Sequence, residues 1–426
     1  MPTPSCPAQN PGSTSLVLDP ADGVVLLDDS FTADPYPLYE LLRTQRPVTR
    51  ARMPLGPSFW LVTRYEDVRA GLTDPRLVKD AGRLAEVIRR ASGIPEDAAS
   101  ADMALHDHML NSDPPRHTRL RKLVNKAFTG RAIGQLRPRI EALATELTEA
   151  MAARLAAGEQ AVDLVEDYAF PLPMTVICEI LGVPEGRRRE FGSWSHTILS
   201  AASPEQHAAA SAAMGEYLNQ LVADKLANPG ADILSAILAP DEDADRLTHV
   251  EATAMASLLL VAGHETTVNL IGSGVLALLR NPGQLARLRA DPALLPGAVE
   301  EFLRLESPVN VATMRFAAEP VTIGGTTIPA GEVVLLGIGS ANRDPELFER
   351  PGELDLDRAR GGSLAFGHGI HHCLGAALAR LEGEIAFRVL LERFPTLTLA
   401  VDPSELSWHN SILLRGLARL PVRADG

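Results

Sequence analysis

The chain has 426 residues, 46% of them hydrophobic, and a net charge of −14, so it can bury a sizeable core in an acidic, soluble body. That charge balance argues against nucleic acid as the main partner. Three cysteines far apart in sequence, Cys6, Cys178 and Cys373, cannot build a disulfide framework and point to a reducing compartment.

Residues 1–20 read as a flexible N-terminal tail, since Pro, Ser, Thr, Asn and Gln crowd its first part. It lacks the basic start and apolar run of a secretory signal. The longest largely apolar stretch, 252–263, is too short to span a bilayer, so the expectation is a cytoplasmic protein with no membrane partner. Residues 21–426 read as a single domain.

The first part of that domain is partly β. A helical pattern over 38–43 precedes strand-like runs at 48–51 and 59–63, with a turn at 54–57 between them. Residues 65–72 form the next helix, closed by Asp74 and Pro75. The stretch 79–110 is mixed. Its Glu86, Glu96, Asp97 and Asp102 could meet a cationic group, or be ordinary solvated charges.

Residues 113–124 hold a dense basic run behind Pro114 and Pro115, which suit a helix start. His117 and Arg121 stand at i and i+4, so both leave one face and could grip a carboxylate. Arg116, Arg119, Lys122 and Lys126 could form a basic docking patch. A generic charged helix face is the plainer alternative. From 133 to 226 the chain is helical, broken near Pro171, Pro173 and Pro184, with Cys178 as a core residue and Trp194 in the later part.

A longer helix follows. Thr248 and Glu251 make a capping box, Asn281 and Pro282 supply the stop, and about 32 residues between them span roughly 48 Å. It is apolar on nearly every side, which places it through the middle of the molecule. Its polar exceptions are His264, Glu265, Thr266, Thr267 and Asn269. The Thr266 hydroxyl can bond back to the Ala262 carbonyl, opening room beside Gly263 for a diatomic ligand. Glu265 and Thr266 then offer a carboxyl and a hydroxyl for passing protons, although a satisfied polar kink would look the same.

Further on, Glu301 and Arg304 at i, i+3 form a structural ion pair. Strands are expected at 321–323 and 327–329, joined at Gly324 and Gly325, and again at 333–338. Candidate pocket residues are Leu259, Ala262, Val309, Val311, Ala312, Ile412 and Leu413, all small or aliphatic. An amphipathic helix covers 376–394.

Ahead of that helix runs FGHGIHHCLG, residues 366–375. Gly367 and Gly369 let the backbone pass close to a flat ligand, and the helix start turns N–H groups towards the Cys373 sulfur. A thiolate held there suits the iron of haem. A zinc site using His368, His371, His372 and Cys373 is the next reading, and an inert core cysteine the last.

The run FxxGxxxCxG, filled by Phe366, Gly369, Cys373 and Gly375, resembles the haem-binding signature of cytochromes P450 at every fixed position. AGHETT at 262–267 resembles that family's oxygen-activation motif. These motifs, with His117 and the Glu301–Arg304 pair, occur in the family's order. The resemblance implies a mostly α fold with a minor β region, a single haem-thiolate domain holding haem b. Cys373 would be the axial iron ligand, with Ala262, Gly263, Phe366 and Gly367 against the haem. His117, Arg121, Arg315 and His371 would contact its propionates.

The likeness is greatest to soluble actinomycete enzymes that tailor macrolides and polyketides. It implies a monooxygenase that hydroxylates or epoxidises a bulky apolar small molecule, fed by a ferredoxin and ferredoxin reductase, and working as a monomer. Residues 79–110 and 184–203 would cap the pocket. A thiolate-haem enzyme that does not activate dioxygen, or a non-catalytic haem binder, stays open as an alternative. One departure stands out: the family's second arginine of the salt-bridge network is expected near 350–355, where this chain has Glu353 and Leu354.

Overall fold

The computed structural model describes residues 16–19, 22–54, 56–92, 105–199, 203–240 and 245–424. Cys6, Glu96, Asp97 and Asp102 lie outside the described residues. Early strands that bury most of their residues build a sheet on one side of the molecule. Its six strands are β1 (Val25–Leu26), β2 (Val48–Arg52), β3 (Phe59–Val62), β4 (Leu77–Val78), β5 (Arg315–Ala317) and β6 (Val333–Leu336). Their order is β1-β2-β3-β6-β5-β4. Hairpin β2–β3 is antiparallel, and β3 then pairs parallel with β6, which brings residues from the far end of the chain beside the first strands.

Two differences from the sequence expectation arise here. Residues 16–19 do not trail: Leu26 N–H donates to Val17 O at 2.9 Å, and Asp19 forms an ion pair with Arg52. A polar composition hid this because the anchor is backbone pairing. The expected strand over 333–338 ends at Leu336, since a short helix, Ile338–Ala341, begins just after Gly337.

The helical side is built around five elements: α1 (Arg116–Asn125), α2 (Pro171–Ile180), α3 (His249–Arg280), α4 (Leu295–Leu305) and α5 (Ala376–Arg393). In α3 the capping box forms as expected: the Thr248 side chain accepts from Glu251 N–H at 3.2 Å, and Thr248 N–H donates to Glu251 Oε2 at 2.9 Å. Such caps contribute about 1 kcal/mol. The helix packs on α2, α4, α5 and the helix Pro204–Ala227, and so lies in the middle of the largest apolar cluster. By length and composition α3 is apolar enough to cross a membrane, which the shorter stretch 252–263 did not suggest. Yet 72% of its most apolar window is buried inside the protein, as befits a core helix.

Close approach of α2 to α3 depends on Gly263, where a Cβ would meet Ile177 Cδ1 at 2.8 Å. Cys178 is plain core: it is wholly buried, and burial pushes its thiol up to about 12.

A buried polar knot closes the far side. Glu306 takes Arg343 and Arg415, each at 2.8 Å, and Tyr36 Oη at 2.9 Å. Burial alone would raise this carboxyl, but Arg415 and Arg343 outweigh it and hold it below the usual range. The knot ties the N-terminal region to the C-terminal loop.

Candidate active site

The loop before α5 takes the shape its glycines permit. Gly367 and Gly369 sit at φ +72° and +76°, in the left-handed region. Gly369 also approaches Thr73, where a Cβ would come within 2.8 Å of Cγ2. Cys373 N–H donates to Phe366 O at 2.9 Å, closing the loop, and Leu364 N–H is anchored by Asn342 Oδ1 at 2.7 Å.

Cys373 is exposed, but to an internal cavity, which is why it is also deeply embedded in protein. Burial raises its thiol, while the Gly375 N–H, Arg121 and Arg380 pull the other way and do not fully compensate. The sequence reading expected the loop alone to favour thiolate. In the structure burial wins, so the anion needs a cationic partner on the open side of the sulfur.

The cavity holds about 1470 Å³ of space free of protein atoms, part of it open to solvent. Cys373, Phe366 and Gly367 line one wall, and Leu259, Ala262, Gly263 and Thr266 of α3 line another. His117, Arg121, Arg315 and His371 close one edge. The rings of His117 and His371 meet edge to face with centroids 4.5 Å apart. Both nitrogens of His117 and Nε2 of His371 are buried without a hydrogen bond, although Asp113 Oδ1 lies 3.9 Å from the latter. Burial lowers the basicity of both rings, that of His371 to about 3, so both are neutral at pH 7 and each retains an N–H to give.

Among the described residues neither Arg121 nor Arg315 has a carboxylate at ion-pair distance. Arg315 is 3% exposed, reaches only the Thr313 and Leu72 carbonyls, and is lowered to about 10 by burial. Lys79, which the sequence reading did not single out, stands beside this edge, where burial and the nearby Arg315 hold its pKa well below the usual lysine value. It is buried and donates to the Thr313 and Met314 carbonyls at 2.8 and 2.9 Å. Unpartnered donors and cations around one edge call for anionic groups there, and a thiol at the base calls for a metal. A flat macrocycle with two carboxylates and a central iron satisfies both needs. The residues fit haem. The zinc reading fails on geometry, because among the described residues no group of three His, Cys, Asp or Glu side chains converges on one point.

Thr266 bonds back to Ala262 O at 2.9 Å, as expected. With its proton committed to the helix, its oxygen acts as an acceptor towards the cavity. Glu265 is buried and does not line the cavity; its Oε1 lies 3.5 Å from His264 Nε2.

Of the aliphatic pocket candidates, Leu259, Ala262, Val309 and Ala312 reach the cavity. Val311 instead packs in the separate cluster with Leu61 and Leu335, against which Ile412 and Leu413 also rest. Bends at 308, 310 and 311 break the extended alternation that would have kept Val309 and Val311 on one face. The basic face of α1 is also largely engaged. Arg116 pairs with Asp107, Arg119 with Asp245 and Glu251 at 2.9 and 2.7 Å, and Lys126 donates to Ala239 O. Arg116 and Arg119 are thus held in intramolecular ion pairs at the surface.

Glu382 is the clearest residue missed. It sits on α5, is 1% exposed, and lines the cavity. Thr267 lies alongside, yet neither carboxyl oxygen completes a hydrogen bond within the protein. Burial raises this carboxyl from 4.5 to about 8, so it is mostly protonated at neutral pH. Because its folded value exceeds its unfolded one, its stabilising share is complete at acid pH and lost as pH climbs towards 8. Removing the ionisable group with Glu382→Gln should flatten that slope. The difference between variant and parent should grow by at most about 4 kcal/mol from pH 5 to 8, at roughly 1.4 kcal/mol per unit. Denaturant midpoints across that range check it, and parallel curves would refute the assignment.

Glu301 and Arg304 meet as expected, with Arg304 Nε and Nη2 at 2.7 and 2.8 Å from the two carboxylate oxygens. The third member is Arg358, whose Nε lies 3.1 Å from both oxygens. The sequence reading looked for it at 350–355 and left it open. There Glu353 turns outward to Arg350 at 2.9 Å and Leu354 packs into the core. The arginine comes a turn later because the irregular chain, not a helix period, sets the spacing.

Known proteins agree with this geometry. The family model described as Cytochrome P450 matches residues 195–417. The chain is 48% identical to the Vitamin D(3) 25-hydroxylase of Pseudonocardia autotrophica, over 93% of its own length and 95% of that protein's. It is 45% identical to the 6-deoxyerythronolide B hydroxylase of Saccharopolyspora erythraea, over 94% and 98%. Among solved structures, tirandamycin C-bound P450 monooxygenase TamI superposes with a TM-score of 0.85 at 51% identity, covering 94% of this chain and 100% of that one. The chain therefore belongs to the cytochrome P450 family and is a haem-thiolate monooxygenase.

Proposed function

We propose that this monooxygenase hydroxylates or epoxidises a bulky apolar polyketide, a macrolide or a close relative, with haem b as cofactor. The single observation that carries the reading is the cavity wall above Cys373. Leu259, Ala262, Val309 and Ala312 present carbon, and Thr266 and Thr313 on the same lining are uncharged. A large apolar substrate loses little on entering such a site. The 6-deoxyerythronolide B hydroxylase and the tirandamycin C complex support a polyketide. A sterol-like substrate is the second reading, favoured by the vitamin D(3) hydroxylase.

When bound, thiolate-ligated haem supplies the activation of dioxygen from which one oxygen atom enters a C–H or C=C bond. The protein does the rest. Cys373 would hold the iron, and His117, Arg121, Arg315 and His371 would take the propionates. Ala262 and Gly263, which line the same cavity, would leave room for the oxygen. Thr266 accepts a hydrogen bond towards the cavity, and Glu265 brings a proton to it. Electrons come from a ferredoxin and its reductase; the chain from residue 21 onward works as one catalytic domain, as a cytoplasmic monomer.

Titrating the oxidised protein with macrolides and with sterols tests the substrate. A high-spin absorption shift with macrolides alone supports the proposal, and a shift with sterols alone replaces it. Thr266→Ala should keep substrate binding while the yield of product per electron pair falls sharply, towards the roughly 100-fold or larger effects of lost proton-transfer groups. Unchanged coupling would remove Thr266 from the proton path.

A further inference from the structure

His264 lies within the AGHETT run, and the reaction above does not use it. It is completely buried in α3, with its ring edge to face against Phe170 at 6.0 Å. Its Nδ1 lies 2.7 Å from Leu260 O. A carbonyl oxygen only accepts, so Nδ1 carries the hydrogen. In the neutral ring Nε2 is then a bare lone pair. That lone pair has no hydrogen-bond partner, and Glu265 Oε1 lies 3.5 Å from the nitrogen.

A bare ring nitrogen this close to a carboxylate oxygen inside a core is repulsive. One proton between them reverses the sign. It makes either a carboxylic acid beside a neutral imidazole or an imidazolium beside a carboxylate. Both forms have the same net charge. An ordinary exposed glutamate, with a pKa near 4.3, holds a proton at pH 7 in only about one molecule in 500. A glutamate that must supply protons needs a device that keeps one in place.

We propose that His264 and Glu265 share one resident proton at neutral pH, which makes the pair a loaded donor beside Thr266. His264 is a positioning residue in this scheme: it holds the Glu265 carboxyl and its proton without touching the cavity. When the proton leaves towards Thr266, a carboxylate and a neutral imidazole remain, and that repulsive arrangement draws the next proton from solvent. The inference rests on the monooxygenase reading only for its catalytic consequence.

Two measurements separate the parts. The first uses the reduced carbon monoxide complex of the holoenzyme, which is diamagnetic, at pH 7. Nitrogen-15 resonances of His264, assigned by their loss in His264→Asn, are read together with the infrared carboxyl region, assigned with Glu265→Gln. Either an imidazolium or a protonated Glu265 carboxyl is expected. A neutral imidazole beside an ionised Glu265 overturns the shared proton whatever the enzyme does. The second is coupling of electron use to product. His264→Asn keeps a donor for Leu260 O but cannot hold the proton, and its yield per electron pair should fall several-fold with the haem spectrum unchanged. His264→Phe, which keeps the ring contact, should behave alike if one variant folds poorly. Wild-type coupling in both variants would overturn the donor role while leaving the oxygenation chemistry in place.

Discussion

Cys373→Ser should give a folded protein whose reduced form shows no strongly red-shifted band with carbon monoxide and whose oxygenation is below detection. The reason lies in acidity. The sulfur receives the Gly375 N–H and the fields of Arg121 and Arg380, yet burial still leaves its thiol raised. Iron supplies the remaining stabilisation of the anion. A serine hydroxyl starts several units less acidic, so the same surroundings cannot make it an anion of comparable electron-donating power. The neighbouring histidines are badly placed as substitutes. His371 is locked against His117 at 4.5 Å, and His372 follows on the outward side of the loop. Retention of the red-shifted band in Cys373→Ser would falsify sulfur ligation at this position. A colourless parent protein would be a still broader failure.

The parts of this site that could be read from sequence are those where local chemistry fixes the geometry. Cys373, Gly367 and Gly369 lie within one loop, and His117 and Arg121 within one helical turn. Spacing alone puts each set together. Thr248 and Glu251 fixed the start of α3 for the same reason. What stayed hidden depends on contacts between distant segments. Glu382 looked like one more charge on an amphipathic helix, and only the packing of α5 on α3 turns it into a buried acid on the cavity wall. Lys79 gains its meaning from residues 313–315, across β4 and β5. Val311 was misplaced because bends, which carry no periodic signal, re-aim its side chain. The family resemblance supplied what spacing could not, above all the role of Arg315, whose partners are carbonyls in this chain.

Arg304→Ala and Arg358→Ala should differ sharply in cost, although both arginines touch the same carboxylate. Glu301 is 4% exposed and Arg304 2%. Arg304 covers both carboxylate oxygens and also donates to the carbonyls of Asn342, Pro351 and Glu353 at 3.0, 2.7 and 3.1 Å. Truncating it strands a buried charge and several carbonyls at once, a loss of about 3–5 kcal/mol. Native stabilities are only about 5–15 kcal/mol, so this variant should lose haem and unfold far more easily. Arg358 is more exposed, at 12% of its side chain, and its removal leaves Arg304 clamped on Glu301. Its Nη atoms reach the Glu349, Arg350 and Glu353 carbonyls, near solvent that can replace them. A loss of about 1.5–3 kcal/mol, that of a hydrogen bond to a charged group, is expected. With Arg358 gone first, Arg304 is the cation left on Glu301 beside the Asp355 N–H at 3.0 Å, so the double variant should be worse than the sum of the single ones. Denaturation of the haem-loaded protein, followed at the haem band, measures all three. Equal losses in the two single variants would mean that Arg358 is a full partner in the buried network, and that its exposure misrepresents its share of the charge.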